Sequence, residues 1–111
     1  MASSRNFVDF VVDQASGAGD VRARAMFGEY GVYCGVKMVA LICDDTLFVK
    51  PTVAGRAFAG EVEEGSPYPN AKPHLIIRED QLDDPDRLAE LFRITADELP
   101  APKPKKKKPK S

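Results

Sequence analysis

"RARAMFGEYGVYCGVKMVALICDDTLFVK", Arg22 to Lys50, decides the fold. From Val21 to Met26 apolar and basic residues alternate, the period-two pattern of a half-buried strand. Tyr30–Cys34, Lys37–Cys43 and Thr46–Lys50 read as three more strands. Gly35–Val36 suits a type II′ turn, because glycine takes a positive φ at the first position. Asp44–Asp45 is a second candidate two-residue turn. Straight registers then set Tyr33 opposite Met38, Val32 opposite Val39, Ile42 opposite Leu47 and Leu41 opposite Phe48. One face would hold Tyr33, Met38, Ala40, Ile42, Leu47 and Val49; the other would hold Val32, Cys34, Val39, Leu41, Cys43 and Phe48. Both are apolar, whereas a one-sided antiparallel sheet alternates apolar and polar residues. Helices must cover one side, and a loop, a terminal helix or a second subunit the other.

Gly28 and Gly31 bracket Glu29 and Tyr30 in this stretch. One reading is a bulge or bend that lets one long strand turn a corner. Another is functional: small residues flanked by Phe27, Tyr30 and Tyr33 let a partner backbone or a flat ligand come close. The two are compatible.

Outward from the hairpins, Ser3 and Ser4 are N-cap candidates for a helix. Phe7, Val8, Phe10, Val11, Val12 and Ala15 give it a broad apolar stripe, ended by Gly17 or Gly19. Phe10 and Val12 widen the stripe, so the helix should be well covered. Pro51 ends the fourth strand, and residues 52–60 suggest a short helix with Val53, Ala57 and Phe58 inward. Residues 61–73, rich in Pro, Gly and acids, read as a loop. His74–Arg78 is a strand. Asp84 caps a last helix with Pro85 in its first turn, Asp86 complementing the dipole, and Leu88, Leu91, Phe92 and Leu99 inward. The expected fold is α+β, two-layer, an antiparallel sheet with order α-β-β-β-β-α-β-α.

The length, 111 residues, suits one domain. No apolar run nears the roughly 20 residues of a membrane helix. Asp9 and Asp13 interrupt the N-terminal apolar stretch, so no secretion signal is read and a cytoplasmic location is expected. Six of the 16 basic residues lie in residues 100–111, leaving ten against 17 acids in residues 1–99, a net of −7. The organisation is therefore an acidic domain, residues 1–99, and a lysine- and proline-rich tail, residues 100–111. The tail has nothing to bury and should be disordered. Its Lys103, Lys105, Lys106, Lys107, Lys108 and Lys110 are candidate phosphate contacts, whereas the acidic domain disfavours nucleic acid. With no aromatic among the lysines, the tail offers no base stacking.

Cys34 and Cys43 form no CxxC pair. A hairpin at Gly35 separates them by about 20 Å along the sheet, too far for a disulfide, so both read as reduced thiols. His74 is the only histidine and starts a strand. The acid pairs Asp44–Asp45, Glu63–Glu64 and Asp83–Asp84 fall in turns or at a cap. No phosphate loop and no nucleophile–base pair is present in the sequence, so no enzyme activity is expected.

Residues 22–50 also resemble the signature of the TfoX N-terminal domain family. The match rests on the MFG-x-YG run from Met26 to Gly31 with Tyr33, and on the ALI-x-DD-x-L-aromatic-x-K run from Ala40 to Lys50. It extends more loosely over residues 5–98. The resemblance implies a sheet with helices packed on it, no catalysis and no cofactor. Full-length relatives are competence regulators with a second domain; here only the lysine tail follows residue 99. Gly35–Val36 replaces the family's usual Asp-Gly turn, and Phe48 its usual Tyr. The expected function is a regulatory or interaction module working through protein contacts, with a protein or a second copy as partner and no membrane. The alternative is a nucleic-acid accessory protein anchored by the tail. Candidate partner-binding residues are Arg24, Phe27, Gly28, Tyr30, Gly31, Tyr33 and Lys50.

Overall fold

A computed structural model describes residues 4–26 and 29–100. The chain runs α1 (Arg5–Gln14), a 3₁₀ turn (Ser16–Ala18), β1 (Val21–Met26), β2 (Glu29–Cys34), β3 (Lys37–Cys43), β4 (Thr46–Val49), α2 (Val53–Ala59), β5 (Glu64–Gly65), β6 (His74–Ile77), α3 (Glu79–Leu82) and α4 (Pro85–Glu98). The expected α+β class and element order hold, with two small additions, β5 and α3. The strands form one antiparallel sheet of order β1-β2-β3-β4-β6-β5.

Local chemistry sets the element ends. The Ser4 hydroxyl accepts from Phe7 N at 3.1 Å, and Asp84 Oδ1 accepts from Arg87 N at 3.2 Å, so both long helices start on capping side chains. Gly35 has φ 65° at the first turn, while Asp44 and Asp45 have φ 52° and 55° at the second, the double positive φ of a type I′ turn. The amide of Ser4 donates to Asp45 Oδ1 at 2.7 Å, which ties the start of α1 to that turn.

Two readings of the hairpins change. Met26 faces Glu29, so the chain reverses between them and β1 and β2 are separate paired strands, not one strand turning a corner. The bulge lies one ladder further on. Tyr33 pairs with Met38 but Val32 pairs with Ala40, which leaves Val39 as an extra residue on β3. Val39 and Ala40 therefore both reach the core, each 0% exposed. Beyond the bulge every face assignment flips relative to a straight register. Val32 joins Ala40, Ile42, Leu47, Val49, Leu75 and Ile77 under the helices. Tyr33 and Met38 move to the opposite face with Leu41, Phe48 and Ile76.

The core lies between the sheet and α1 and α4, with Val8, Val11, Leu88, Leu91 and Phe92 supplying the helical side. Phe10, expected to be covered, is 39% exposed: Val8 and Val11 alone carry the buried stripe of α1. The face of α2 is also corrected. Val53 is 78% exposed and Ala57 is exposed; Gly55 and Ala59 are the buried positions, with Phe58 half-buried. Gly55 is what lets α2 lie close on α4 beside Leu91 and Thr95. The residues 61–73, expected as a loop, include β5 because Arg56 forks onto Glu64 at 3.0 and 2.9 Å and Arg78 holds Glu63.

Two tests belong to this helix layer. Thr95 is 0% exposed and its hydroxyl finds no partner among the described residues. An unpaired buried hydroxyl costs about 1–3 kcal/mol. Thr95→Val keeps the shape and removes it, so the variant should gain about 1 kcal/mol in urea unfolding; a loss of stability would contradict the packing described.

Glu98 of α4 reaches back to α2, where Val53 N donates to Oε2 at 2.9 Å and Ala54 N to Oε1 at 2.8 Å. These amides, Ala54 first, hold the Glu98 carboxyl below the usual carboxylate range. A lowered folded value means the stabilisation is full above the ordinary Glu value, about 4.3, and fades as pH falls through the folded value. Glu98→Gln should therefore speed exchange of the Val53 and Ala54 amides at neutral pH. The difference from the parent should shrink as the pH falls well below the ordinary Glu value, and a pH-independent difference would refute the link.

Candidate functional site

The flipped faces leave one side of the sheet without helices. Cross-strand pairing places Arg24, Gly31, Leu41, Phe48 and Ile76 in one row on this outer face, and Arg22, Tyr33 and Met38 in the next. Pro67 and Tyr68, from the segment after β5, hang over one end. Between them and the sheet lies a groove of about 660 Å³, lined by Met26, Met38, Leu41, Cys43, Pro67 and Tyr68. Glu29 closes its far end by accepting the Asp44 amide at 3.1 Å. Tyr68 is 54% exposed. A second hollow of about 400 Å³ shares Met38 and continues past Tyr33 and Lys50 to Leu99. The expectation that a loop covers part of the second apolar face holds for the end under Tyr68 only.

The candidate residues distribute unevenly. Arg24, Gly31 and Tyr33 share the outer face, with Lys50 at its edge. The space above Gly31 is filled from within the chain: a Cβ there would meet the sulfurs of Met26 and Met38, each at 2.8 Å. Glycine at this position lets two thioethers lie flat on the sheet, so methionine forms the surface a partner would meet. Tyr30 packs partly on the core near Arg5, whose guanidinium is kept charged by Asp9 first and Tyr30 second, and it also lines the groove. Phe27, Gly28 and the six tail lysines lie outside the described residues.

Met26, Met38, Leu41, Pro67 and Tyr68 were missing from the sequence-based site. A straight register puts Met38 and Leu41 on opposite faces, and Tyr68 sits in a segment with no periodicity. The signal available in the sequence was the surplus of apolar positions on both faces.

The groove carries the acids Glu29 and Asp44, and the second hollow carries the bases Lys37 and Lys50. Lys50 is half-buried beside His74, in the row next to Phe48 and Ile76. Burial first and Lys72 second lower the basicity of Lys50. Burial also lowers that of His74, whose Nδ1 lies 2.8 Å from the Lys72 carbonyl and is thereby committed to a structural bond. Cys34 and Cys43 are free. The bulge puts them on opposite faces, a correction to the single face expected. Burial first, then nearby carboxylates, push both thiols up, so both are held protonated. The acid pairs serve the fold: Asp44–Asp45 the turn, Asp84 the cap, Glu63 and Glu64 the two arginines. Among the described residues no group of three His, Cys, Asp or Glu side chains could hold a metal, and no helix is long and apolar enough to cross a membrane.

Residues 13–99 match the TfoX N-terminal domain family. The chain belongs to that family. Among the described residues, the TfoX N-terminal match takes in every strand and every helix except α1, of which it covers only the last two residues. The chain is also 44% identical over 111 residues to a Spirochaeta aurantia protein described as "Uncharacterized 12.7 kDa protein in trpE 5'region", covering 100% of this chain and 96% of that one.

Proposed function

We propose that the chain is a non-catalytic regulatory module that binds a protein partner on the outer face of its sheet. The observation that supports this is the apolar lining shared by two adjoining hollows, from Tyr68 across Met26, Met38 and Leu41 to Leu99, with Lys37 and Lys50 at one end, Glu29 and Asp44 in the other, and Arg22 and Arg24 on the neighbouring strand. Two adjoining hollows outrun a single small ligand and suit a protein surface. Methionine adapts to irregular partners, and aromatic, methionine and arginine side chains are enriched where proteins meet. Membership in a family of regulator N-terminal domains agrees with such a role. Transcription and competence control, which the family resemblance implies, would then work through the bound protein.

Site-specific photo-crosslinking in cells tests this. A photoreactive residue replacing Tyr33 or Tyr68 should give protein adducts. One replacing Phe10 or Val53, exposed on the helix side, should not. Equal yields on both sides would contradict the reading. Light scattering separates the occupants: a dimer at micromolar concentration would make a second copy the partner, and a monomer would leave a different protein.

The tail carries a second reading. Six lysines in residues 100–111 against a domain of net charge −7 suit loose phosphate contact. Neutralising about four phosphates would give a log–log salt slope of roughly −3 to −4. Truncation at residue 99 should abolish that binding, and unchanged affinity would rule it out.

A further inference from the structure

The outermost strand, β1, has β2 on one side and, among the described residues, no strand on the other. Its hydrogen-bond phase is fixed at both ends. Met26 and Glu29 flank a two-residue connection, which makes them a bonded pair, and Gly35 N donates to Asp20 O at 2.8 Å. Bonded pairs alternate along an antiparallel ladder, so residues 20, 22, 24 and 26 spend their backbone groups on β2. Ala23 and Ala25 therefore direct N–H and C=O outward. The outward N–H of Val21 is already used, on Gly19 O at 3.0 Å.

Side chains around this edge favour addition of a strand. Ala23 and Ala25 are small and leave the backbone accessible. Arg22 and Arg24 are exposed on the outer face, about 7 Å apart, and neither belongs to an ion pair among the described residues. On the helix side, a hollow of about 460 Å³ lies between the edge and α1, lined by Val8, Val12 and Ala23 together with two acids, Asp9 and Asp13, and two arginines, Arg5 and Arg22, Arg5 being paired to Asp9 at 3.1 Å.

The geometry points to β1 as the docking edge for an extended segment of a partner protein with acidic residues at alternate positions. Those acids would meet Arg22 and Arg24, and the residues between them would fill the hollow over Val8 and Val12. The alternation follows from strand geometry, because Arg22 and Arg24 stand two residues apart on one face. A second copy is a poor occupant: two-fold pairing of β1 with itself sets arginine against arginine, which is destabilising. Backbone bonds would supply affinity and the arginines the choice of sequence. The inference rests on the protein-binding reading above and adds the partner's conformation and charge.

Amide NMR on the full chain tests it, with the acetylated peptide Val-Glu-Val-Glu-Val-Glu-Val-Glu as probe and its lysine counterpart as control. The acidic peptide should slow exchange of the Ala23 and Ala25 amides and shift Val8 and Val12. Arg22→Glu with Arg24→Glu, both at exposed positions, should weaken it about tenfold or more, and the lysine peptide should bind weaker by a similar factor. Ala23→Pro removes an outward donor only and should also abolish binding. If that variant fails to fold, the arginine pair decides alone. Absence of binding, shifts confined to Met38, Leu41 and Tyr68, or an affinity indifferent to the arginines would overturn the inference. Adducts at Tyr33 and Tyr68 together with such a result would leave the outer-face reading standing and remove this one.

Discussion

Phe92→Ala should cost about 3–5 kcal/mol, the usual range for emptying a fully buried aromatic site. Phe92 is 0% exposed on α4, the helix that packs on β2 and β3. A domain of this size has roughly 5–15 kcal/mol in total, so the variant would lose about a fifth or more of its stability. Urea unfolding should show a lowered midpoint with an unchanged slope. Phe10→Ala is the matched control. Phe10 has the same side chain but is 39% exposed on α1, so its loss should cost below about 1 kcal/mol. Equal costs at the two positions would mean that the helix layer is packed differently from the arrangement described.

Gly55→Ala should destabilise by about 2 kcal/mol, against the usual sign. Alanine in a helix interior normally gains about 1 kcal/mol over glycine. Here the new Cβ would stand 2.5 Å from Thr52 Oγ1, 3.2 Å from Thr95 Oγ1 and 3.7 Å from Leu91 Cδ1. Thr52 is 3% exposed, and its hydroxyl accepts from Gly55 N at 2.9 Å, capping α2. A two-carbon side chain in that position cannot swing clear without breaking the cap. Overpacking costs about 1–3 kcal/mol and a lost cap about 1, which together exceed the propensity gain. The expected fall in Tm is roughly 10 °C. Ala54, one residue earlier and exposed, has the opposite preference: Ala54→Gly should destabilise, as Gly55→Ala does, because only position 54 has room for a methyl. A stabilised Gly55→Ala protein would show that α2 does not press on α4.

What could be read from the sequence was what is decided locally. The turns at Gly35 and Asp44, the caps at Ser4 and Asp84, and the stripe of Leu88, Leu91 and Phe92 depend on neighbours in the chain, and each reading held. What was lost depended on partners distant in sequence. A bulge at Val39 has no signature, because Val39 and Ala40 are both apolar and either could have faced the core. That one residue moved Met38 and Tyr33 to the outer face and hid half of the candidate site. The face of α2 was illegible for a related reason. VAGRAFA is composed mostly of small residues, and only contact with Thr95 and Leu91 shows that Gly55 is the inward position. β5 forms because Arg56 and Arg78 reach two glutamates in a stretch whose composition says loop.

The central claim is that the outer sheet face meets protein while any nucleic-acid contact is left to the tail. An amide NMR titration of the full chain with duplex DNA, at low and then moderate salt, tests it most directly. Shifts confined to residues 100–111 that vanish with salt are the predicted result. Salt-resistant shifts at Met26, Gly31, Tyr33 and Met38 would make the sheet face a nucleic-acid surface and contradict the account.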